Sequence, residues 1–402
     1  MRPFRGRRIL LGVTGGIASY KTAWLARLLA QAGAEVDVVL TRSAREFIGS
    51  VTFEALTGRP AHTELIADGH ALEHIKLARR AELIVVAPAT ADFLARAASG
   101  RADDLLGACL LAADAPVLLV PAMNDRMWAH RQTQANAAHL RGLGYSVLDP
   151  DTGPLASPEE GAGPGRMPEP ETIFAHIGRM LERRGALSGR CVLVTAGPTR
   201  EALDPVRFLS NHSSGKMGVA IASAGWRRGA DVTLVAGPLS VPPPIGAHVV
   251  NVESTSEMAD AVRAGLKKAD VLVMAAAPAD FRPKAVAKAK IKKDKRPGSV
   301  ALDETDDILS STRDARRKGA VIVGFALETD DVIAHARAKL KSKALDFIVV
   351  NDAREAGAGF GADTNRVTIL SPKGEPEELP LMSKPEVADA ILDRVEALLR
   401  GR

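Results

Sequence analysis

Short apolar runs and longer amphipathic stretches take turns along this chain of 402 residues. "RILLGV", "AEVDVVL", "ELIVVAP" and "PVLLVPA", spread between Arg8 and Ala122, are brief, mostly apolar and partly β-branched, as strands buried on both faces are. "YSVLD" from Tyr145 is a fifth candidate. Between the first two runs, Tyr20 to Ala32 carry apolar residues three and four apart, which predicts an amphipathic helix. This βαβ rhythm predicts a parallel sheet with helices on both faces, whose ligands bind at the carboxyl ends of the strands.

The rhythm breaks from Asp149 to Pro170, "DPDTGPLASPEEGAGPGRMPEP", where glycine and proline are dense enough to predict a loop or lid and neither strand nor helix. An amphipathic stretch, "ETIFAHIGRMLERRG", follows. The alternation then resumes with "CVLVTA", "ADVTLVAG", "ADVLVMAAA", "AVIVGFAL", "DFIVVND" and "NRVTIL". Two α/β domains are expected, over 1–187 and 188–402, alike in style and with no short-period repeat.

Composition narrows the picture. Hydrophobic content of 46% is that of a soluble globular chain, and no apolar run is long enough to span a bilayer. The basic N-terminus runs through a short apolar stretch into a glycine loop, not a cleavage site, so no signal peptide is read. Two cysteines, Cys109 and Cys191, each within an apolar run, read as core thiols of a cytoplasmic protein. The net charge of +5 raises nucleic acid as a partner, but the lysines gather in Pro283–Arg296 and aromatics are only 4%. Stacking platforms are scarce, which favours a solvated basic loop or a small anionic ligand.

Candidate chemistry sits at strand ends. In "GVTGGIASYK", Gly12, Gly15 and Gly16 permit a tight strand-to-helix turn, and a helix beginning near Ile17 would offer free N–H groups to an anion. Thr41 and Ser43 lie just past the second strand, where their hydroxyls could contribute. The third strand ends in "APATADFLARAASGRADDLL" and the fourth in "PAMN", so four strand ends converge on one crevice. A second glycine-, serine- and lysine-rich turn, "FLSNHSSGKMG", follows the strand "CVLVTA".

"TGGIASYK", "HIKL" from His74, "APATAD", "ADDLL" and "PAMN" together resemble the FMN-dependent cysteine decarboxylases. The resemblance implies a flavodoxin-like domain binding FMN through Gly15, Gly16, Ile17, Ser19, Ser43, Pro88, Thr90 and Ala91. It also implies His74 as catalytic histidine and Asn124 as the asparagine that orients the substrate carboxylate. The stretch Val194–Pro238 resembles the phosphopantothenate–cysteine ligases, which implies a Rossmann-like second domain. Nearly the whole chain thus resembles the bacterial bifunctional phosphopantothenoylcysteine decarboxylase and phosphopantothenate–cysteine ligase family.

That resemblance implies 4'-phosphopantothenate, L-cysteine and CTP as substrates, an acyl-cytidylate intermediate and Mg2+ as the accompanying ion. A carboxylate attacking an α-phosphate brings two anions together, so cationic groups are needed to spread the charge. By position Lys290 matches the lysine of cytidylate formation, and Asn211 matches a residue whose amide donates to the acyl-cytidylate carbonyl. Met274, Ala275, Ala276, Asp280, Asp306, Asp307, Ile308, Leu309, Phe325, Lys339 and Lys343 match nucleotide contacts. The family also implies homo-oligomers, with trimers through the decarboxylase half and dimers through the ligase half building a dodecamer.

Two departures stand out. "ETDDI", Glu304–Ile308, replaces the family's "KNPDI". The lid reads "LASPEEGAGPGRM", Leu155–Met167, against a family pattern close to "LACGxxGxGRM", which puts Ser157 at the cysteine that supplies a proton in the last reduction. A thiol, with a pKa of about 8.5, is a workable acid and a serine hydroxyl is not. Three outcomes follow: Glu159 or Glu160 acts as the acid, the reaction stalls before the reduction, or this half is retained for assembly.

Overall fold

The first strand shows how the sheet is packed: Ile9, Leu11 and Val13 enter one apolar cluster, while Leu10 enters another on the opposite face. The period of two thus buries both faces, as a strand covered by helices on each side requires. In the computed structural model, which describes residues 4–66, 72–182, 185–292, 299–328, 332–352 and 361–402, the chain forms two compact units, Met1–Leu181 and Glu182–Arg402.

In the first unit, β1 (Arg8–Val13), β2 (Glu35–Leu40), β3 (Ala61–His62), β4 (Leu83–Ala89), β5 (Val117–Pro121) and β6 (Ser146–Val147) form a parallel sheet in the order β3-β2-β1-β4-β5-β6. Leaving aside the two-residue edge strand β3, the order is that of a flavodoxin-like sheet. Helices α1 (Ser19–Gln31), α2 (Ser50–Thr57), α3 (Glu73–Arg80), α4 (Ala91–Ala98), α5 (Leu105–Ala112), α6 (Asp125–Ala129), α7 (Arg131–Gly142) and α8 (Pro170–Glu182) alternate with and follow these strands. Helix α1 starts at Ser19, two residues past the Ile17 start expected from the glycine turn and one before the Tyr20 start of the apolar periodicity.

The glycine- and proline-rich segment is not a plain loop. It forms an antiparallel hairpin of β7 (Asp151–Pro154) and β8 (Ala162–Arg166), with Gly153 opposite Gly163. The expectation failed because this two-stranded ribbon packs by its backbone. A Cβ on Gly165 would lie 2.3 Å from the Met123 carbonyl oxygen, and one on Gly163 would lie 2.7 Å from the Asp125 Cβ. Glycine is what lets β8 lie flush on the segment after β5, and prolines are tolerated because each strand has an unpaired edge.

The second unit carries an eight-stranded sheet in the order β13-β12-β9-β14-β17-β18-β20-β21. Its parallel part is β9 (Cys191–Ala196), β12 (Asp231–Ala236), β13 (His248–Asn251), β14 (Val271–Met274), β17 (Val321–Glu328) and β18 (Phe347–Asp352). Two antiparallel edge strands, β20 (Thr368–Leu370) and β21 (Glu377–Glu378), extend it. The parallel part has the doubly wound Rossmann order. Small antiparallel ribbons pair β10 (Arg200–Ala202) with β11 (Phe208–Ser210), β15 (Phe281–Pro283) with β16 (Leu302–Glu304), and β19 (Thr364–Asn365) with β22 (Met382–Ser383). The helices are α9 (Lys216–Arg227), α10 (Thr255–Leu266), α11 (Ile308–Ser311), α12 (Val332–Ser342) and α13 (Lys384–Arg400).

Helix α9 lies so close to β9 that a Cβ on Gly218 would meet the Ala196 Cβ at 2.5 Å and the Thr195 carbonyl oxygen at 2.7 Å. Cys109 is fully buried, and desolvation, with Asp104 and Glu73 nearby, pushes its thiol up to about 12, so it is an inert core residue. Cys191 differs from the expectation of a core thiol: it opens β9 and is only partly buried. Among the described residues no helix is long and apolar enough to cross a membrane.

Candidate functional site

In the first unit a cavity of about 570 Å³ opens at the carboxyl ends of β1, β4 and β5. Its lining includes Gly15, Gly16 and Ile17 of the glycine turn, Thr90 and Ala91 at the start of α4, Asn124 after β5, and Leu155 and Glu160 of the lid. The turn is tight: a Cβ on Gly15 would lie 2.4 Å from the Ser43 Cβ and 3.0 Å from its backbone carbon. Below it, the Thr14 hydroxyl donates to the Pro88 carbonyl at 2.8 Å and accepts from the Thr90 N–H at 3.2 Å, which ties the ends of β1 and β4 together.

The sequence-predicted residues divide between lining and support. Gly15, Gly16, Ile17, Thr90, Ala91 and Asn124 line the cavity. Ser19 is buried as the first residue of α1, Ser43 packs behind Gly15, and Pro88 packs beneath Gly16, so these three support the cavity from behind. The Thr41 hydroxyl accepts from the Ala44 N–H as a cap and is not offered to a ligand. His74, on the first turn of α3, does not line the cavity, and its Nδ1 is buried with no hydrogen-bond partner among the described residues.

Ser157 does not line the cavity either. It caps a short 3-10 turn, its hydroxyl accepting from the Glu159 N–H at 3.2 Å while its own N–H donates to the Glu160 carboxylate at 3.4 Å. The capping box aims Glu160 inward, where its Oε1 accepts from Asn124 Nδ2 at 3.4 Å. Asn124 Oδ1 caps α6 by accepting from the Arg126 N–H at 2.9 Å, so its amide NH2 is the end turned to the lid. Lys21 and Arg166, also on the lining, both reach Glu169, and Lys21 Nζ donates to the Met167 carbonyl at 2.8 Å. Those two cations hold Glu169 below the usual carboxylate range against the desolvation that opposes it.

The second unit has a narrower cavity, of about 200 Å³, at the carboxyl ends of β14, β17 and β18. Ala275, Ala276, Phe325 and Lys339 of the expected nucleotide contacts line it. Sequence reasoning missed Lys216, Asn351, Asn365 and Lys384, which also do. The first lies in "SSGKMG" and was readable there as a cation in a glycine-rich turn. The others come from β18, β19 and the start of α13, with no local motif to mark them.

The remaining ligase residues fall outside this cavity. Met274 is buried at the end of β14 and accepts from the Thr195 hydroxyl at 3.6 Å. Ile308 and Leu309 are core residues under α10 and β17, so their side chains have no free surface to offer. Asp307 caps α11 and pairs with Lys343 at 3.0 Å. Asp306 and Asp280 are exposed, the latter accepting through its carbonyl from the Thr305 N–H at 2.9 Å. Asn211 Nδ2 donates to the Ala277 and Pro278 carbonyls at 3.2 and 3.0 Å, so its amide donor, expected to serve a ligand, is engaged within the chain.

Lys290 is exposed on the segment after β15, and residues 293–298 of the lysine-rich stretch lie outside the described residues. That segment is fastened by Asp204, whose buried carboxylate accepts from the Val206, Arg207 and Ile291 N–H groups and from the Arg207 guanidinium. Arg207 also donates to the Ile291 carbonyl at 2.8 Å. The guanidinium, with the three N–H groups, holds the Asp204 carboxyl well below the usual range.

Residues 2–182 match the flavoprotein family, and residues 187–399 match the family described as DNA/pantothenate metabolism flavoprotein C-terminal domain. The coenzyme A biosynthesis bifunctional protein CoaBC of Mycobacterium tuberculosis (strain ATCC 25618 / H37Rv) is 48% identical over 410 residues, 98% of this chain and 97% of that one. That of Vibrio vulnificus (strain YJ016) is 43% identical over 403 residues, 99% and 100% of the two chains. A crystal structure of the C-terminal domain of a CoaBC protein is 41% identical, covering 54% of this chain and 100% of that one with a TM-score of 0.47.

Proposed function

This chain belongs to the bifunctional CoaBC family of coenzyme A biosynthesis, which joins a flavoprotein decarboxylase domain to a ligase domain, and from that premise we propose its two reactions. The second unit ligates 4'-phosphopantothenate to L-cysteine with CTP and Mg2+, through an acyl-cytidylate. The first unit decarboxylates the 4'-phosphopantothenoylcysteine so formed, using FMN, to give 4'-phosphopantetheine. The observation that carries this reading is the pairing of two strand-end cavities in one chain. One is floored by a glycine turn that tolerates no side chain at Gly15, and the other is lined by three lysines and, among the described residues, no carboxylate.

The first cavity fits a flavin nucleotide in size and in its cradle, since a Cβ on Gly15 would fill the turn. Gly15, Gly16 and Ile17 would hold the phosphate, and Thr90 and Ala91 would border the ring. Bound FMN supplies the two-electron chemistry; the chain's own residues bind, orient and move protons. Asn124 presents its NH2 to the substrate carboxylate, displacing Glu160 from it. Glu160 then serves as the lid's proton donor, the task its position supports better than that of Ser157. Both reactions are tested by supplying the full-length protein with phosphopantothenate, cysteine, CTP and Mg2+ and following pyrophosphate, carbon dioxide and phosphopantetheine together.

His74 is the exception to this economy. It lies outside the cavity of its own unit, so its expected catalytic role calls for a homo-oligomer in which it serves a neighbouring copy. The family expectation of trimers through this half is consistent with that arrangement. The alternative, a ligase whose decarboxylase half is impaired by the loss of the lid thiol, is favoured by Ser157 alone.

A further inference from the structure

Ala275, Ala276 and Ala277, which follow β14, form part of the wall of the second cavity. Residues 275–279 are tied rung by rung to the segment after β9. The Ala276 N–H donates to the Thr195 hydroxyl at 3.1 Å, the Ala277 N–H to the Gly197 carbonyl at 2.9 Å, and the Ala279 N–H to the Thr199 hydroxyl at 2.8 Å. Pro198 and Ala277 form a parallel bridge, so the two strand ends stay paired past the end of the sheet. Asn211 grips the same segment through the Ala277 and Pro278 carbonyls.

The last rung does not end at Thr199. Thr199 Oγ1 lies 2.9 Å from Thr255 Oγ1, and Glu201 Oε1 accepts from both the Thr255 N–H at 2.8 Å and the Thr255 hydroxyl at 2.9 Å. All three side chains are buried. Chemistry sets the direction of the series, because a carboxylate oxygen only accepts, a backbone N–H only donates and each hydroxyl has one hydrogen. The Thr255 hydrogen goes to Glu201, the Ala279 carbonyl being farther at 3.3 Å, so Thr255 accepts from Thr199 and Thr199 accepts from Ala279. Polarity then runs unbroken from the Ala279 N–H to the Glu201 carboxylate.

Glu201 is itself fixed. It lies on β10 opposite Leu209 of β11, and Thr255 is the first residue of α10, so the carboxylate meets a free N–H of a helix start. Burying a carboxylate is costly, and apolar packing would hold the ribbon to α10 without it; what directional bonds add is a set distance between the two ends of the series. Those ends are the β10–β11 ribbon and the cavity wall.

We propose that Glu201 is a positioning residue of the ligase reaction, which sets residues 275–279 of the cavity wall through Thr255 and Thr199. None of the three lines the cavity, so they act through the wall and not on a ligand. This rests on the ligase reading above.

The test is steady-state ligation by the full-length protein with phosphopantothenate, cysteine, CTP and Mg2+, followed through pyrophosphate. Thr199→Val and Thr255→Val keep the side-chain shape and each remove one link. Each is expected to lower kcat at least about tenfold with KM for CTP within about threefold of wild type, since misplacing reacting groups by about 1 Å costs up to about a hundredfold while the rest of the lining still binds. Both break one series, so the double variant should be at most about twofold slower than the slower single variant. Thr255→Ser restores the hydroxyl and should recover the rate. Glu201→Asp, one methylene shorter, withdraws the acceptor and should lower kcat by about threefold or more, the effect of weakening one buried hydrogen bond.

Folded valine variants that lose thermal stability with kcat unchanged would overturn the role, as would a raised KM at unchanged kcat or single effects that multiply in the double variant. If the valine variants do not fold, an unchanged kcat in Glu201→Asp overturns it. A wild type that releases no pyrophosphate from CTP would remove the ligase reading and the role with it, whereas a competent wild type beside unaffected variants removes only the role of Glu201.

Discussion

Replacing Glu160 by glutamine tests the lid most directly, because it removes the acid while keeping the size of the side chain. Glutamine has nearly the same shape, and its Oε1 can still accept from Asn124 Nδ2, the contact seen at 3.4 Å. The acid is lost, and with it one of the two accepted contacts, because a single amide oxygen cannot serve both Asn124 Nδ2 and the Ser157 N–H. Removal of a positioned general acid costs about 10²–10⁴-fold in the step it serves. Phosphopantetheine formation from phosphopantothenoylcysteine is therefore expected to slow by about a hundredfold or more while carbon dioxide release persists.

Ser157→Cys gives the contrasting result. The Ser157 hydroxyl caps the lid turn and lies outside the cavity lining, so a thiol there does not meet the substrate without remodelling the turn. Loss of the cap costs about 1 kcal/mol at the lid and leaves the rate of phosphopantetheine formation unchanged to within about twofold. The assay is rapid quench with mass-spectrometric counting of both products. Faster phosphopantetheine formation in Ser157→Cys would refute the reasoning, as would equal loss of both products in Glu160→Gln, which would make Glu160 a substrate-binding residue.

Three further outcomes are expected. Gly15→Ala places a Cβ 2.4 Å from the Ser43 Cβ and 3.0 Å from its backbone, so the turn must open; the purified protein should be colourless and should not recover flavin absorbance on incubation with FMN. If His74 serves a neighbouring copy, His74→Asn and Asn124→Asp proteins should each be inactive in decarboxylation but regain activity when dissociated and reassembled together, whereas no recovery would place His74 with its own chain. The Asp204 carboxyl is held low chiefly by Arg207, so the clamp on Ile291 is intact above the usual carboxylate range and is lost as pH falls through the lowered value. Asp204→Asn should therefore loosen residues 284–292 at neutral pH, seen as faster amide exchange there, and slow pyrophosphate release.

The central parallel strands were legible in the sequence because strands covered on both faces must be almost wholly apolar, whereas the short edge strands β3 and β13 were not read. Runs such as "RILLGV" and "CVLVTA" read as strands through their β-branched content and their place in the alternation, since the apolar run "LLGACLLA" is a helix, and the tight turn expected of the glycines after β1 is seen in the Gly15–Ser43 spacing. The lid hairpin was hidden because its stability lies in backbone packing of Gly163 and Gly165 against Met123–Asp125, a contact between segments about forty residues apart for which no period exists. For the same reason tertiary structure alone decided that Glu160 and not Ser157 faces Asn124: the Ser157 hydroxyl is held on the turn's backbone, whereas the Glu160 carboxylate keeps one oxygen for Asn124 after accepting from the Ser157 N–H. It alone brought Lys216 and Lys384 to one cavity, because a strand pairing between β19 and β22, invisible in either segment, sets where the last helix begins. Sequence pattern fixes which face of an element is buried, but which charged ends meet across a sheet depends on the order in which the strands are laid side by side.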